Sequence, residues 1–257
     1  MTLNINWQEI KSLAFFSKES IKILHQYELL IPLIKETIID RQIQNYTIDE
    51  TIKNKLVENF CKEKNITSET QLKEFISKKN ISFELFKDKL ARNLKQKKFA
   101  LENFGAKAEA RFLQRKEGLD IVKYNLIRVK EFFLAREIYT QIKENESTFE
   151  LLAQKFGEGP EKDASGLIGP IPINRAHPQL AKLLRTSKPQ ELREPILVNG
   201  WHLIVQLEEF IPATFNEQVK QMMITELYDG WLNKESGEIS SDMIEHYQTD
   251  VNISSEE

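Results

Sequence analysis

The spacing of hydrophobic residues separates a helical first half of the chain from a second half with strands. Between residues 17 and 118 apolar side chains recur three and four positions apart, as on one face of a helix. The candidate caps before these runs are Ser17, Thr47 with Glu50, Ser68 and Ser82. The pattern predicts consecutive helices, the last running from Ser82 to Gly118. It leaves open whether the runs around Pro32 form one kinked helix or two.

From residue 121 the period changes. IVKYNLIRV alternates as a strand does, and EFFLAREIYTQIKE and TFELLAQKF have helical spacing. The segment GEGPEKDASGLIGPIPIN is so rich in glycine and proline that we expect a shaped loop there. After a short helix, HPQLAKLLRT, the strands EPILV and WHLIVQLEEF are joined by Asn199-Gly200, a pair that favours a hairpin turn. These elements predict a compact α+β domain.

Charge and composition exclude several classes of protein. The formal net charge is -3 and the pI is about 6.0, so no global basic field would attract nucleic acid. Cys61 is the only cysteine, which rules out an internal disulfide and a cysteine metal cluster. No stretch reaches the ~18 apolar residues of a membrane span, and the first residues lack the features of a signal peptide. We therefore expect a soluble, cytoplasmic protein with no nucleic-acid partner and no membrane span.

A run of six cations lies along the predicted long helix. They are Lys87, Lys89, Arg92, Lys95, Lys97 and Lys98. Such a density could attract phosphates or an acidic partner. Because these residues alternate with apolar ones at helical spacing, we interpret them as the solvated face of an amphipathic helix.

Four segments of the second half carry a family resemblance. They are YNLIRV, FELLAQKFGEGP, SGLIG with Gly166 and Gly169, and EPILVNGWHLIVQLEE. The run from Gly200 to Ile204 is the most specific, because it has the glycine, histidine and two aliphatic residues with which parvulins usually end. Over residues 121–209 the chain thus resembles the parvulin family of peptidyl-prolyl isomerases. Upstream, residues 64–99 are similar to the helical domain of SurA-type foldases.

The resemblance implies a domain organisation. It places a SurA-like helical domain at residues 1–118 and a parvulin-like domain, a small antiparallel sheet flanked by helices, at residues 119–211. A helix at 212–234, with a cap pattern at Thr214 and Glu217, would pack back on the helical domain. Residues 235–257 contain no Lys or Arg and are predicted to form an acidic, flexible tail.

The implied reaction is rotation about an Xaa-Pro bond. Resonance opposes this rotation with a barrier of about 18 to 20 kcal/mol. An enzyme can lower the barrier by gripping the proline ring in an apolar pocket, excluding water and placing dipoles against the twisted amide. This chemistry requires no cofactor and no metal.

The family's site residues map onto this sequence with several changes. Of the two histidines that parvulins pair beneath the peptide, His202 matches the second and Asn125 stands at the first. The residue facing the reacting amide falls on Gly159, with Glu158 one place away. The proline pocket maps onto Ile168, Ala176 and Leu180, and Asn199 stands where a small hydroxyl residue is usual. Asn125 is expected to hydrogen-bond with His202 across adjacent strands.

The resemblance thus implies a peptidyl-prolyl isomerase and folding helper that acts on proline-containing client polypeptides. Phosphate-directed parvulins carry a long basic loop after the first strand, whereas here only Lys130 and Glu131 lie between strand and helix, so we expect no phosphate dependence. The altered positions leave a second reading, a catalytically degenerate chaperone or peptide-binding module. A third reading is a fixed component of a maturation or export assembly.

Overall fold

The structure, a computed structural model, describes residue 10, residue 13 and residues 15–253, with side chains described up to residue 246. The chain divides into two compact units. One comprises Met1–Glu109 and Lys220–Glu257, and the other is Ala110–Val219. The first unit is built from helices and the second contains the sheet. The α+β class predicted from the sequence is confirmed.

The helices outside the sheet region are α1 (Lys18–Gln26), α2 (Leu30–Ile43), α3 (Glu50–Glu63), α4 (Glu69–Lys78), α5 (Phe83–Phe104) and α6 (Ala108–Leu119). Ser17, Ser68 and Ser82 cap α1, α4 and α5 by accepting hydrogen bonds from backbone N–H groups, as predicted. The predicted cap at Thr47 is wrong. Asp49 caps α3, because its carboxylate accepts a hydrogen bond from the Thr51 N–H at 2.8 Å.

The predicted long helix is interrupted. It ends at Phe104, a 3₁₀ turn covers Gly105–Lys107, and α6 continues to Leu119, so the prediction of one helix to Gly118 is wrong. Glycine costs about 1 kcal/mol relative to alanine inside a helix, which favours a break at Gly105.

The cations of α5 form ion pairs within this unit. Lys87 is buried and its Nζ lies 2.9 Å from Glu50 and 2.8 Å from Glu84. Arg92 pairs in the same way with Glu36 and Asp40. The interpretation as a solvated face is therefore wrong for Lys87, because acidic partners on α3 and α5 cover its ammonium group.

The C-terminal helix α10 (Glu217–Ile253) packs on α5. The Trp231 ring lies 5.5 Å from that of Phe99 and 5.9 Å from that of Phe104, measured between centroids. Asn216 caps the helix through the Val219 N–H, so the predicted cap at Thr214 is wrong. No helix in the described part of the chain, α10 with its 37 residues included, combines the length and hydrophobicity that a membrane crossing needs.

The predicted flexible tail is wrong over most of its length. Helix α10 continues through residues 235–253, and Ser236, Ile239 and Met243 are buried at helical spacing. This buried stripe, which the acidic composition did not indicate, holds the segment in the fold. Residues 254–257 lie outside the described residues.

The second unit contains β1 (Ile121–Val129), α7 (Phe132–Lys143), α8 (Phe149–Phe156), β2 (Leu167–Pro172), α9 (Pro178–Thr186), β3 (Leu192–Val198) and β4 (Trp201–Ile211). The four strands form an antiparallel sheet in the order β2-β1-β4-β3. Strand β2 was predicted as irregular loop. As an edge strand it pairs only with β1, and an edge position tolerates Pro170 and Pro172.

Two local features of this unit bear on the sequence predictions. Asn199 and Gly200 have φ values of 50° and 78°, which confirms the predicted hairpin turn between β3 and β4. Phe112 of α6 is buried and its ring centroid lies 5.5 Å from that of Phe215. Because of this packing, the second unit begins at Ala110, before the predicted boundary at residue 119.

Candidate functional site

Helices cover both faces of the sheet, and the alternation of strand side chains assigns each residue to one face. The α9 face is the cluster of Tyr124 and Leu126 of β1, Leu203, Val205 and Leu207 of β4, and Leu180, Ala181 and Leu184 of α9. The α7/α8 face is the cluster of Ile127 and Val129 of β1, Ile204 of β4, Ala135 and Ile138 of α7, and Phe149, Leu152 and Ala153 of α8.

The predicted proline pocket lies together on the α9 face. Leu180 is 4% exposed, and Ile168 and Ala176 are partly buried against the same cluster. In the register of β1 with β2, Ile168 lies directly opposite Tyr124. The three predicted pocket residues are thus neighbours, but the protein's own side chains pack closely around them.

The predicted pair of Asn125 and His202 is not formed. His202 is opposite Val129 in the register of β1 with β4, whereas Asn125 is opposite Gln206. Four residues along a strand correspond to about 13 Å, too far for a hydrogen bond. Alternation also places both residues on the α7/α8 face, on the other side of the sheet from the pocket. The predicted hydrogen bond between Asn125 and His202 is therefore wrong, and a site made from all these residues stays a prediction.

Asn125 and His202 have partners of their own. The Asn125 amide, which is buried, donates a hydrogen bond to the Glu208 carboxylate at 2.5 Å. His202 packs edge-on against Phe132 at the start of α7, with 5.4 Å between ring centroids. Both contacts help to hold the sheet and α7 together, which is a structural role.

Gly159 lies against a buried ion pair. Arg128 Nε donates to Glu161 Oε1 at 2.8 Å, and a methyl group at Gly159 would collide with Arg128 Nε and with both Glu161 oxygens. The predicted catalytic position therefore has no room for a side chain. Glu158, one place away, is exposed, and its carboxylate accepts a 3.4 Å hydrogen bond from the Lys130 N–H.

The ion pair belongs to the α9 face, because Arg128 alternates with Tyr124 and Leu126 along β1. The Glu161 side chain is only 3% exposed and that of Arg128 is 31% exposed. Glu161 Oε2 is buried and has no hydrogen-bond partner among the described residues. Arg128 is therefore the partner that holds this carboxylate.

Tyr124 stands between the ion pair and the pocket. Burial raises the pKa of its hydroxyl; the Arg128 cation acts against this and the Glu161 carboxylate adds to it. The hydroxyl is therefore protonated at neutral pH and can donate a hydrogen bond. In the register of β1 with β2 this residue lies opposite Ile168.

Asn199 has a conformational role in this structure. Its positive φ forms the exposed turn between β3 and β4. The position was assigned to substrate binding by resemblance, and the hairpin turn accounts for the residue without a ligand.

Sequence reasoning missed Tyr124, Arg128 and Glu161. For the two residues of β1 a signal was present, because they alternate with buried Leu126 and so face the same side of the strand. Nothing in the sequence around Glu161 indicates burial. Its position depends on the 3₁₀ turn Pro160–Ala164, which places it under Arg128.

The sequence of the second unit matches a known family. Residues 130–208 match the model of the PPIC-type PPIase domain, also described as rotamase. This match includes β2, α9 and the hairpin, and therefore all three pocket residues. The second unit thus contains a parvulin domain of the PPIC type.

The structure is similar to several solved foldases and chaperones. PrsA from Bacillus cereus has 15% sequence identity and a TM-score of 0.46, covering 88% of this chain and 84% of that chain. PrsA from Bacillus anthracis has 15% identity and a TM-score of 0.40, covering 86% and 97%. A structure reported for the SurA-like chaperones PEB4 and Cj1289 of Campylobacter jejuni has 17% identity and a TM-score of 0.36, covering 87% and 92%. No curated protein matches the chain significantly.

Proposed function

We propose that the protein is a peptidyl-prolyl cis/trans isomerase and folding helper that acts on Xaa-Pro bonds of client polypeptides. The observation that carries this proposal is the match of residues 130–208 to the PPIC-type domain, together with the gathering of Ile168, Ala176 and Leu180 on one face of the sheet. In this proposal the reacting face is the α9 face, and Tyr124 is its neutral hydrogen-bond donor.

The chemistry follows from what this face offers. A proline ring inserted beside Ile168 and Leu180 would exchange water for apolar contacts. In the twisted amide the nitrogen lone pair is no longer delocalised and the carbonyl oxygen carries less negative charge, so a neutral donor in a dry pocket can stabilise this form by donating to the nitrogen. The Tyr124 hydroxyl would be that donor. Rotation forms and breaks no covalent bond, so the role of the site is to bind and orient the amide.

Clients need carry no phosphate in this proposal. Strand β1 ends at Val129 and α7 begins at Phe132, which leaves only Lys130 and Glu131 between them. Arg128, a cation on the α9 face, is already paired with Glu161. We propose the cytoplasm as the location, which fractionation of the native cells against marker proteins would test.

A specific observation also favours the second candidate, a peptide-binding chaperone without turnover. Leu180 is almost fully buried, so a proline ring must displace side chains of the α9 face before it can bind there. If that displacement costs more than the pocket gains, clients would bind elsewhere. The helical unit has an open groove of about 780 Å³ lined in part by Leu72, Ile76, Ile81 and Phe83.

Two measurements on the full chain separate these candidates. Two-dimensional NMR exchange on a series of proline tetrapeptides measures the cis/trans rate, and light scattering of a diluted unfolded client measures chaperone activity. The isomerase reading predicts that the protein accelerates cis/trans exchange and that Leu180→Ala changes the accelerated rate. If exchange stays at the uncatalysed rate at high protein concentration while client aggregation is suppressed, the chaperone reading is correct and the isomerase reading fails.

A further inference from the structure

The ion pair of Arg128 and Glu161 is a feature that the proposed reaction does not require. Rotation about a prolyl bond needs an apolar pocket and a hydrogen-bond donor, and neither residue supplies these. The pair nevertheless lies on the reacting face, beside the turn that would contact the client. Since an ion pair this close to a peptide site changes the electrostatic potential there, it affects which clients bind.

The geometry makes the two charges cancel at the site. Arg128 Nε and Glu161 Oε1 are 2.8 Å apart, the distance of a charge-assisted hydrogen bond. The two groups act with opposite sign on the Tyr124 hydroxyl, whose pKa the cation lowers and the carboxylate raises. A client residue beside Tyr124 therefore meets two opposite charges that offset each other.

Because Glu161 is buried, its carboxylate stays beside the Arg128 guanidinium. Its side chain is 3% exposed, Gly159 covers it without room for a methyl group, and Oε2 has no partner among the described residues. Arg128 is 31% exposed and reaches toward solvent. Without Glu161, its cation would be free to attract an acidic group on the client.

We propose that Glu161 is a specificity-determining residue, which neutralises Arg128 so that the site accepts clients whatever the charge of the residue next to proline. The inference rests on the proposed function, since it concerns the clients of the same face. It predicts that removing one charge of the pair makes the site selective for clients that carry the charge just lost.

The test uses three peptides that differ only in the residue before proline, which is Ala, Lys or Glu. Exchange by NMR and binding by peptide titration are both measured for the full chain. For wild type, the exchange rates and the affinities of the three peptides are expected to agree within about twofold. Glu161→Gln should raise the preference for the Glu peptide over the Ala peptide by about three- to tenfold, the effect of one uncompensated charge in partly screened surroundings.

Arg128→Gln provides the opposite arm. It leaves the Glu161 carboxylate unpaired and should raise the preference for the Lys peptide over the Ala peptide by a similar factor. Asp163→Asn is the matched control, because it removes one negative charge from the same turn at an exposed position. Its peptide preferences should equal those of wild type.

The outcomes separate the inference from the proposed function. If Glu161→Gln and Asp163→Asn have the same preferences, or if both ion-pair variants shift in one direction, the inference is wrong. Circular dichroism checks that each variant is folded, and if Glu161→Gln is not, the Arg128→Gln arm decides alone. If wild type accelerates no peptide, the isomerase reading fails, and the binding preferences still decide the role of Glu161.

Discussion

Gly159→Ala tests the central contact of the candidate site. The added methyl group would collide with Arg128 Nε and with both Glu161 oxygens. These atoms end flexible side chains, but Glu161 is buried and has little space into which it can move. We therefore expect the methyl group to separate the ion pair. A hydrogen bond to a charged group contributes about 1.5 to 3 kcal/mol to the free energy of unfolding. Because Arg128 is nearly a third exposed, we expect a contribution toward the lower end of this range.

The loss of this contribution to stability should be visible in thermal unfolding. For a unit of this size, 1.5 to 3 kcal/mol corresponds to a fall in melting temperature of about 5 to 15 °C. Gly118→Ala is the matched control in the same unit, because its methyl group would meet Asn174 at an ordinary contact distance of 3.5 Å. There the helix propensity of alanine should leave stability unchanged or raise it by up to about 1 kcal/mol.

A double-mutant cycle identifies the cause. In a Glu161→Ala background the two carboxylate oxygens are gone and Arg128, which is 31% exposed, can move away, so Gly159→Ala should cost much less than it does in the native protein. Urea unfolding of the four proteins gives the coupling free energy, which we expect to exceed about 1 kcal/mol. Equal costs of Gly159→Ala in both backgrounds would show that the glycine does not contact the pair, and the description of this site would be wrong.

Three other predictions concern the two faces of the sheet and the helical unit. Tyr124→Phe should lower the prolyl exchange rate roughly tenfold while changing the unfolding free energy by less than about 1 kcal/mol. Because the pKa of this hydroxyl is raised in the fold, its contribution to stability is present below pH 10.0 and is lost as the pH rises further. Thermal unfolding measured over a pH series should show this loss for wild type and not for the variant. His202→Ala should leave exchange within about twofold, since the residue lies on the α7/α8 face, and a large loss would contradict that placement. Phe99→Ala, which removes a buried ring from the contact with Trp231, should destabilise the helical unit by about 3 to 5 kcal/mol in urea unfolding.

Local signals in the sequence predicted the elements whose geometry depends on a few adjacent residues. Ser17, Ser68 and Ser82 cap helices through N–H groups three residues away, and the Asn199-Gly200 turn needs only its own positive φ values. These interactions involve no distant part of the chain. The hydrophobic period was similarly sufficient to find β1, since alternation is visible within nine residues.

Features that depend on pairing between distant residues could not be predicted. Strand β2 has an unfavourable composition and exists because β1 lies beside it. The register of β1 with β4 shifts between Lys123 and Tyr124, and no local pattern determines such a shift. The predicted hydrogen bond between Asn125 and His202 is absent because β1 and β4 pair in a register that sets the two residues four positions apart. A resemblance matches positions in sequence and does not determine the register between distant strands.

The separation of the faces assigns different tasks to residues that the sequence places side by side. Asn125 and His202 lie on the face that α7 and α8 cover. There the hydrogen bond from Asn125 to Glu208 and the ring contact of His202 with Phe132 stabilise the sheet. Tyr124 lies one position before Asn125 and packs in the cluster of the α9 face instead. In the proposed function that face would therefore present a hydrogen-bond donor to a prolyl amide without Asn125 or His202. Because the Tyr124 hydroxyl is protonated at neutral pH, that donor would not depend on the ionisation state of an imidazole, and exchange should be constant between about pH 6 and pH 8.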